Sequence, residues 1–247
     1  MIKFFRKIRQ KLLSENKFRK YLTYAIGEII LVVIGIIIAL QINNWNESRK
    51  KNILAKNYYN RLLSDLKADK AYANRYISRV DSSRVLYDNY RKSYKKPNLS
   101  LVEIIQNLGT NDIITLHLEF KTKTIETLIN TGDLQLLNPK IIDIITEYNG
   151  SKNQTEILAR DNNEDVNDLL KNLAHKGGVL LNIENYPNQP ELFKKLDFDD
   201  RIPDMIIAFE SYVIWKQAVN RTNIKALIKI NKTADSIIKI INLELKK

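Results

Sequence analysis

The sequence predicts an all-α protein: a single N-terminal transmembrane helix that continues into a long stalk helix and an extramembrane helical bundle. Three observations carry this prediction. Residues 29–40 are an unbroken apolar run inside a longer stretch, Tyr21–Ile42. Two further stretches, 43–96 and 204–245, contain no glycine or proline and repeat apolar residues at helical spacing. The whole chain of 247 residues has only seven glycines and five prolines, too few for a turn-dense β fold. The implied organisation is a cytoplasmic basic segment (1–20), a transmembrane helix (21–44) and an extracytoplasmic helical-bundle domain (45–247).

The apolar stretch reads YLTYAIGEIILVVIGIIIALQI, with Glu28 and Gln41 its only strongly polar members. At ~1.5 Å rise per residue it spans about 33 Å, enough for a hydrocarbon core of ~30 Å. It is apolar all round rather than along one stripe, which disfavours a helix buried in a soluble core. Tyr21 and Tyr24 at one end and Trp45 at the other are amphipathic anchors of the kind that sit at the two membrane interfaces. No small-x-small cleavage site follows the run at 38–42, so an uncleaved anchor fits better than a signal peptide.

The net charge of +12 is unevenly distributed. Residues 1–20 carry +7, 21–48 carry −2, 49–96 carry +10, 97–215 carry −9 and 216–247 carry +6. This distribution argues against a nucleic-acid partner. Eight basic residues precede the span and five lie in the twenty residues after it. Basic flanks stay inside, so the expected arrangement is an inner (cytoplasmic) membrane protein with a cytoplasmic N-terminus and a periplasmic C-terminal domain. In residues 2–13, apolar Ile2, Phe5, Ile8 and Leu12 share one helical face. Lys3, Arg6, Lys7, Arg9 and Lys11 lie mostly elsewhere and would contact anionic lipid headgroups.

Within the span, Glu28, Gly35 and Ala39 share a face at spacings of seven and four. Gly35 and Ala39 form a small-xxx-small pattern that permits close approach of a second helix. Glu28 has two roles open to it: bonding across that seam, or snorkelling to the interface. The expected partners are the lipid bilayer and a protein, either another chain or a second copy, engaged through the transmembrane and stalk helices.

The opening MIKFFRKIRQ, the Gly27-Glu28-Ile29 step within the span and the exit Ile42-Asn43-Asn44-Trp45-Asn46-Glu47 together resemble a family of uncharacterised Bacteroidota single-span membrane proteins. The dense likeness covers about fifty residues, with a looser echo at 127–137 (TLINTGDLQLL). The resemblance implies one span and a helical extramembrane domain. It brings no activity and no catalytic residue.

Beyond the span, positions 59, 62, 66, 69, 73, 76, 80, 83, 87, 90 and 94 form a seam with alternating spacings of three and four. Nine of these eleven are apolar or aromatic; Asp69 and Ser83 are the exceptions. Seven tyrosines lie between Tyr58 and Tyr94, and at helical spacing they read as core. Ser100 and Glu103 form a capping box that opens a short helix closed by Gly109. Residues 111–119 alternate weakly, as a strand or a loop. A helix over 121–130 with Gly132 beyond it follows, then Asn138-Pro139 starts another. Gly150 is a break or a kink in a pattern that runs on to Ala174. Residues 178–203 read as an irregular connection before the last long helix.

The chemistry available is narrow. Without cysteine, thiolate metal sites and cysteine nucleophiles are excluded. Asp161-Asn-Asn163-Glu-Asp165 begins like a calcium loop, but Val166 stands where glycine is needed and Asn172 where glutamate is needed. Asp197, Asp199 and Asp200 fail at Arg201. His117 and His175 have no ligand spacing and read as packing and capping residues. No cofactor motif, phosphate-binding glycine loop or nucleophile elbow occurs. The sequence therefore predicts a non-enzymatic interaction or scaffold protein of the cell envelope, such as an accessory subunit of an envelope complex. The alternative is an extracytoplasmic ligand-sensing helical domain that signals through a partner.

Overall fold

The structure is a computed structural model that describes residues 18–177, 189–195 and 197–246. The basic amphipathic segment, with Lys3, Arg6, Lys7, Arg9 and Lys11, lies outside the described residues. Every regular element among the described residues is helical: α1 (Phe18–Ser93), α2 (Leu101–Gly109), α3 (Thr124–Thr131), α4 (Pro139–Gly177), α5 (Pro190–Lys195) and α6 (Phe198–Glu244). A 3-10 turn, Asp133–Leu136, joins α3 to α4. The chain divides into two units, one ending at Asn57 and one beginning at Tyr58.

The first unit is the leading part of α1. It is long and apolar enough to cross a membrane, and none of its most apolar window is buried. The absence of proline and the run of Ile, Leu and Val explain a continuous helix here, most of whose side chains are exposed. Near its end the Arg49 guanidinium lies 6.0 Å from the centre of the exposed Trp45 ring.

The second unit is a bundle of the remainder of α1 with α4 and α6. Its seam is buried at nine of the eleven expected positions; Ser83 is half-buried and Tyr94 exposed. Helix directions follow from side-chain bonds. Asn231 on α6 donates to Asn74 on α1 at 3.0 Å, and Tyr87 on α1 donates to Glu210 on α6 at 2.7 Å, an antiparallel pairing. Lys176 to Asp204 (2.8 Å) and Asn138 to Glu244 (3.4 Å) make α4 and α6 antiparallel as well. The Leu62, Leu66, Ile141, Ile145, Leu227 and Ile237 side chains are almost wholly buried. Each contributes about 1.5–3 kcal/mol relative to exposure.

The tyrosine stripe is core with polar tips. Tyr58 donates to Asp133 at 2.5 Å, Tyr59 accepts from the Asn138 amide at 2.9 Å and Tyr76 accepts from Asn223 at 3.0 Å. A phenol buries its ring while its hydroxyl satisfies a neighbouring element. Leucine at the same positions would remove these bonds, leaving Asp133 only its bond from Thr131.

The element boundaries have local causes. Pro97 cannot continue α1, and Asn98 takes up a left-handed φ of 57° in the turn that follows. The capping box at Ser100 and Glu103 is formed: Ser100 N donates to the Glu103 carboxylate at 2.8 Å, and Glu103 N donates to Ser100 Oγ at 3.3 Å. The Lys96 ammonium and these Ser100 donors hold the Glu103 carboxyl down at about 2. Gly132, left-handed at φ 74°, ends α3. Asn138 caps α4, its Oδ1 accepting from Lys140 N at 3.0 Å.

Of the two readings open for residues 111–119 the loop holds, and three other expectations are corrected. Residues 112–123 form neither strand nor helix; their backbone groups are held by side chains from the bundle helices instead of a sheet partner. α4 runs through Gly150 without a break. α6 begins at Phe198 rather than 204 and includes Pro203, which lacks one intrahelical donor. Residues 190–195, read as irregular, are the short helix α5. Nothing lies within 4 Å of the Cβ position at Gly150. Gly150→Ala is therefore expected to stabilise the protein by about 0.5–1 kcal/mol, raising the thermal midpoint by roughly 1–4 °C. A lower midpoint by circular dichroism would contradict the open geometry around this residue.

Candidate functional site

The residues expected to act in the span all lie on α1. Tyr21 and Tyr24 fall in its opening turns, and Glu28, Gly35 and Ala39 follow on one face. A Cβ added at Gly35 would meet nothing within 4 Å, and Ala39 is exposed. Glu28 and Tyr24 are half-buried and each has an interaction partner. The segment presents an apolar surface interrupted by one carboxylate.

The bundle holds a second constellation, in which Asp69 is the centre. Asp69 and Lys152 are 2% and 4% exposed, so both charges are withdrawn from water. Lys152 Nζ donates to Asp69 Oδ2 at 2.7 Å, and the Tyr148 hydroxyl donates to the same oxygen at 2.8 Å. Thr122 Oγ1 donates to Asp69 Oδ1 at 2.7 Å and accepts from Lys152 at 2.6 Å. The Lys152 ammonium also lies 4.8 Å from the Phe120 ring centre and 5.6 Å from that of Tyr148. Burial pushes the Tyr148 phenol well up, and the neighbouring Asp69 charge and hydrogen bond push it further.

The network arises from three local patterns. Asp65 and Asp69 are one turn apart on α1, Tyr148 and Lys152 one turn apart on α4, and Thr122 and Thr124 flank the start of α3. Asp65 accepts from Thr124 N at 2.9 Å, while Lys123 supplies no side-chain cap. A carboxylate from α1 thus caps α3 from outside, where the helix dipole favours negative charge. Along 112–123 the same logic repeats. Tyr72 donates to His117 O (3.2 Å) and accepts from Glu119 N (2.8 Å); Asn163 donates to Leu116 O (3.0 Å) and Tyr212 to Ile113 O (2.8 Å). Phe120 N donates to the Glu156 carboxylate.

Chemically, the Asp69 network is closed. Both carboxylate oxygens and the ammonium are occupied by one another and by Tyr148, Thr122 and an aromatic face. A fully satisfied buried network fixes register among the elements it joins. Asp69 was visible in the sequence as the one charge at a seam position, but its partner, 83 residues away, was not.

The remaining sequence candidates separate. Asn163 is buried and donates to a backbone carbonyl, and no group of acidic or histidine side chains suited to a metal occurs among the described residues. His117 is exposed rather than packed, and His175 stands in the last turn of α4, as a cap would.

No curated protein and no solved structure matches the chain. A family model does match, over a region that starts at Glu28 in the apolar segment and takes in Asp69, Thr122 and Tyr148 but stops short of Lys152. Residues 28–148, just under half of the chain, are similar to a family of unknown function (DUF6090).

Proposed function

We propose that this chain is a membrane-tethered, non-enzymatic interaction or scaffold protein of a bacterial envelope of the Bacteroidota type, serving as an accessory subunit of a larger complex. The observation that carries this reading is the all-round exposure of a span-length apolar segment on α1. Such a surface costs too much in water to be left uncovered, and lipid covers it without a protein partner. The basic excess before the span supports a cytoplasmic N-terminus and a periplasmic bundle. The Gly35–Ala39 face supports association with another helix at that level. The closed Asp69 network supports a bundle built to hold a shape rather than to turn over a substrate.

Topology is testable because the chain has no cysteine. Single cysteines at Ser14 and at the exposed Ser211 are labelled in intact cells or spheroplasts with an impermeant thiol reagent. Ser211→Cys labelled with Ser14→Cys protected is the expected result; the reverse pattern overturns the orientation. For the scaffold role, crosslinking before detergent extraction should capture a defined partner or a second copy. Recovery of monomer alone would sink it.

A further inference from the structure

A cavity of about 220 Å³ lies between α1, α6 and the start of the connecting segment after α2. Three kinds of wall meet there. Val80, Tyr87, Val213 and Ile224 supply apolar surface. Arg84, Lys216 and Arg221 supply positive charge. Asn111, Asp112 and Asp81 supply acceptors.

The pairing inside the cavity is incomplete in a particular way. Asp112 is engaged by Arg79 at 3.1 Å, and Asp81 by Arg84 at 3.5 Å. Lys216 is only 6% exposed, yet among the described residues its ammonium has one hydrogen bond, to the Asp112 carbonyl at 2.6 Å, and lies 5.6 Å from the Tyr212 ring centre. Burial pulls the Lys216 ammonium below the usual lysine range, with Arg79 adding to the effect and Asp112 opposing it. Arg221, at the exposed rim, has no ion-pair partner among the described residues. Asn111 donates its amide to the Asn107 and Leu108 carbonyls, both at 3.2 Å, and its buried Oδ1 has no donor among the described residues. The unmatched groups are therefore two cations and one acceptor.

We propose that this cavity binds a small hydroxycarboxylate. The carboxylate answers Lys216 and Arg221, the hydroxyl donates to Asn111 Oδ1, and the carbon body lies on the apolar wall. A buried ammonium with unused donors is costly unless an anion completes it, and charge-assisted bonds to a carboxylate are the strong kind. The volume equals that of about seven waters at ~30 Å³ each, which restricts the occupant to a small molecule. A monoanion fits better than a phosphate dianion, because Asp81 and Asp112 already border the site. This site is independent of the tether role proposed above and stands or falls separately.

The test uses the full chain in detergent, with thermal unfolding followed at constant ionic strength. Three probes dissect the chemistry: lactate, propionate, which lacks the hydroxyl, and lactamide, which lacks the charge. Lactate at about ten times its Kd should raise the midpoint by roughly 2–6 °C, propionate by clearly less and lactamide not at all. Lys216→Met keeps the stem and removes the charge, and should abolish the lactate shift. Arg221→Gln, at the rim, should weaken it several-fold and serves if Lys216→Met fails to fold. Saturation-transfer NMR of lactate reports binding directly. No shift and no transfer with lactate, equal responses to lactate and lactamide or to lactate and propionate, or unchanged lactate responses in the variants would each overturn the proposal.

Discussion

Asp69→Ala is expected to destabilise the bundle by about 3–5 kcal/mol, the range for removing one partner of a buried ion pair. The loss leaves the Lys152 ammonium, 4% exposed, with only Thr122 Oγ1 and two aromatic faces. It also strands the Tyr148 and Thr122 hydroxyls that had donated to Asp69. The reciprocal change, Lys152→Met, should cost less, because Asp69 would keep both hydroxyl donors and the methionine would fill the lysine stem's space. Asp69→Leu combined with Lys152→Met should recover most of the Asp69→Ala loss, since an apolar pair replaces the desolvated charges. Urea unfolding of the full chain in detergent gives all three values. An Asp69→Ala cost within about 1 kcal/mol of zero would mean that water reaches the pair and that it behaves as an exposed one.

Stability should also fall steeply in alkali. Burial pushes Tyr212 up to about 12, and burial with the Glu210 carboxylate does the same for Tyr87. Tyr90 and Tyr148 are displaced further, by burial first and then by Tyr94 and Asp69 respectively. Each folded value lies above the unfolded value of about 10. Their contribution is therefore complete below pH ~10 and is lost as the pH rises through about 12 and beyond. Lys216 acts in the opposite sense. Its folded value is depressed, so the cost of its buried charge is relieved as the pH approaches the unfolded value of about 10.4. One lysine does not offset four tyrosines. The urea midpoint should hold or rise slightly towards pH ~10 and then drop. Tyrosinate absorbance should show a delayed group that titrates only as helicity is lost. A midpoint unchanged to pH ~12 would show that these phenols ionise in place without penalty.

The seam shows why so much of the bundle was legible. A helix needs only its own residues to declare a buried face, and positions 59 to 90 did so through spacing alone. Caps were equally local: Ser100 with Glu103, Gly132, and Asn138 with Pro139 satisfy backbone groups within a few residues of themselves. Residues 112–123 were ambiguous because most of their backbone partners lie 36 to 104 residues away, on Tyr72, Glu156, Asn163, Tyr212 and Lys216. Weak alternation suggested a strand, but a strand needs a neighbour with a regular ladder, and side chains from three helices took that place. Gly150 misled for a related reason. A single glycine costs a helix only about 1 kcal/mol, and the packing of α4 against α6 outweighs it.

The sequence by itself determined the helical class, the apolar segment, the buried face of α1 and most helix ends, because each depends on periodicity or on groups a few residues apart. Tertiary structure alone decided which polar residues meet. Asp69 with Lys152, Asp65 at the start of α3, and Lys216 beside Asn111 at the cavity all join residues far apart in the chain. A buried charge announces that it must have a partner. Only the fold, by bringing α1, α4, α6 and the segment between α2 and α3 together, selects which one.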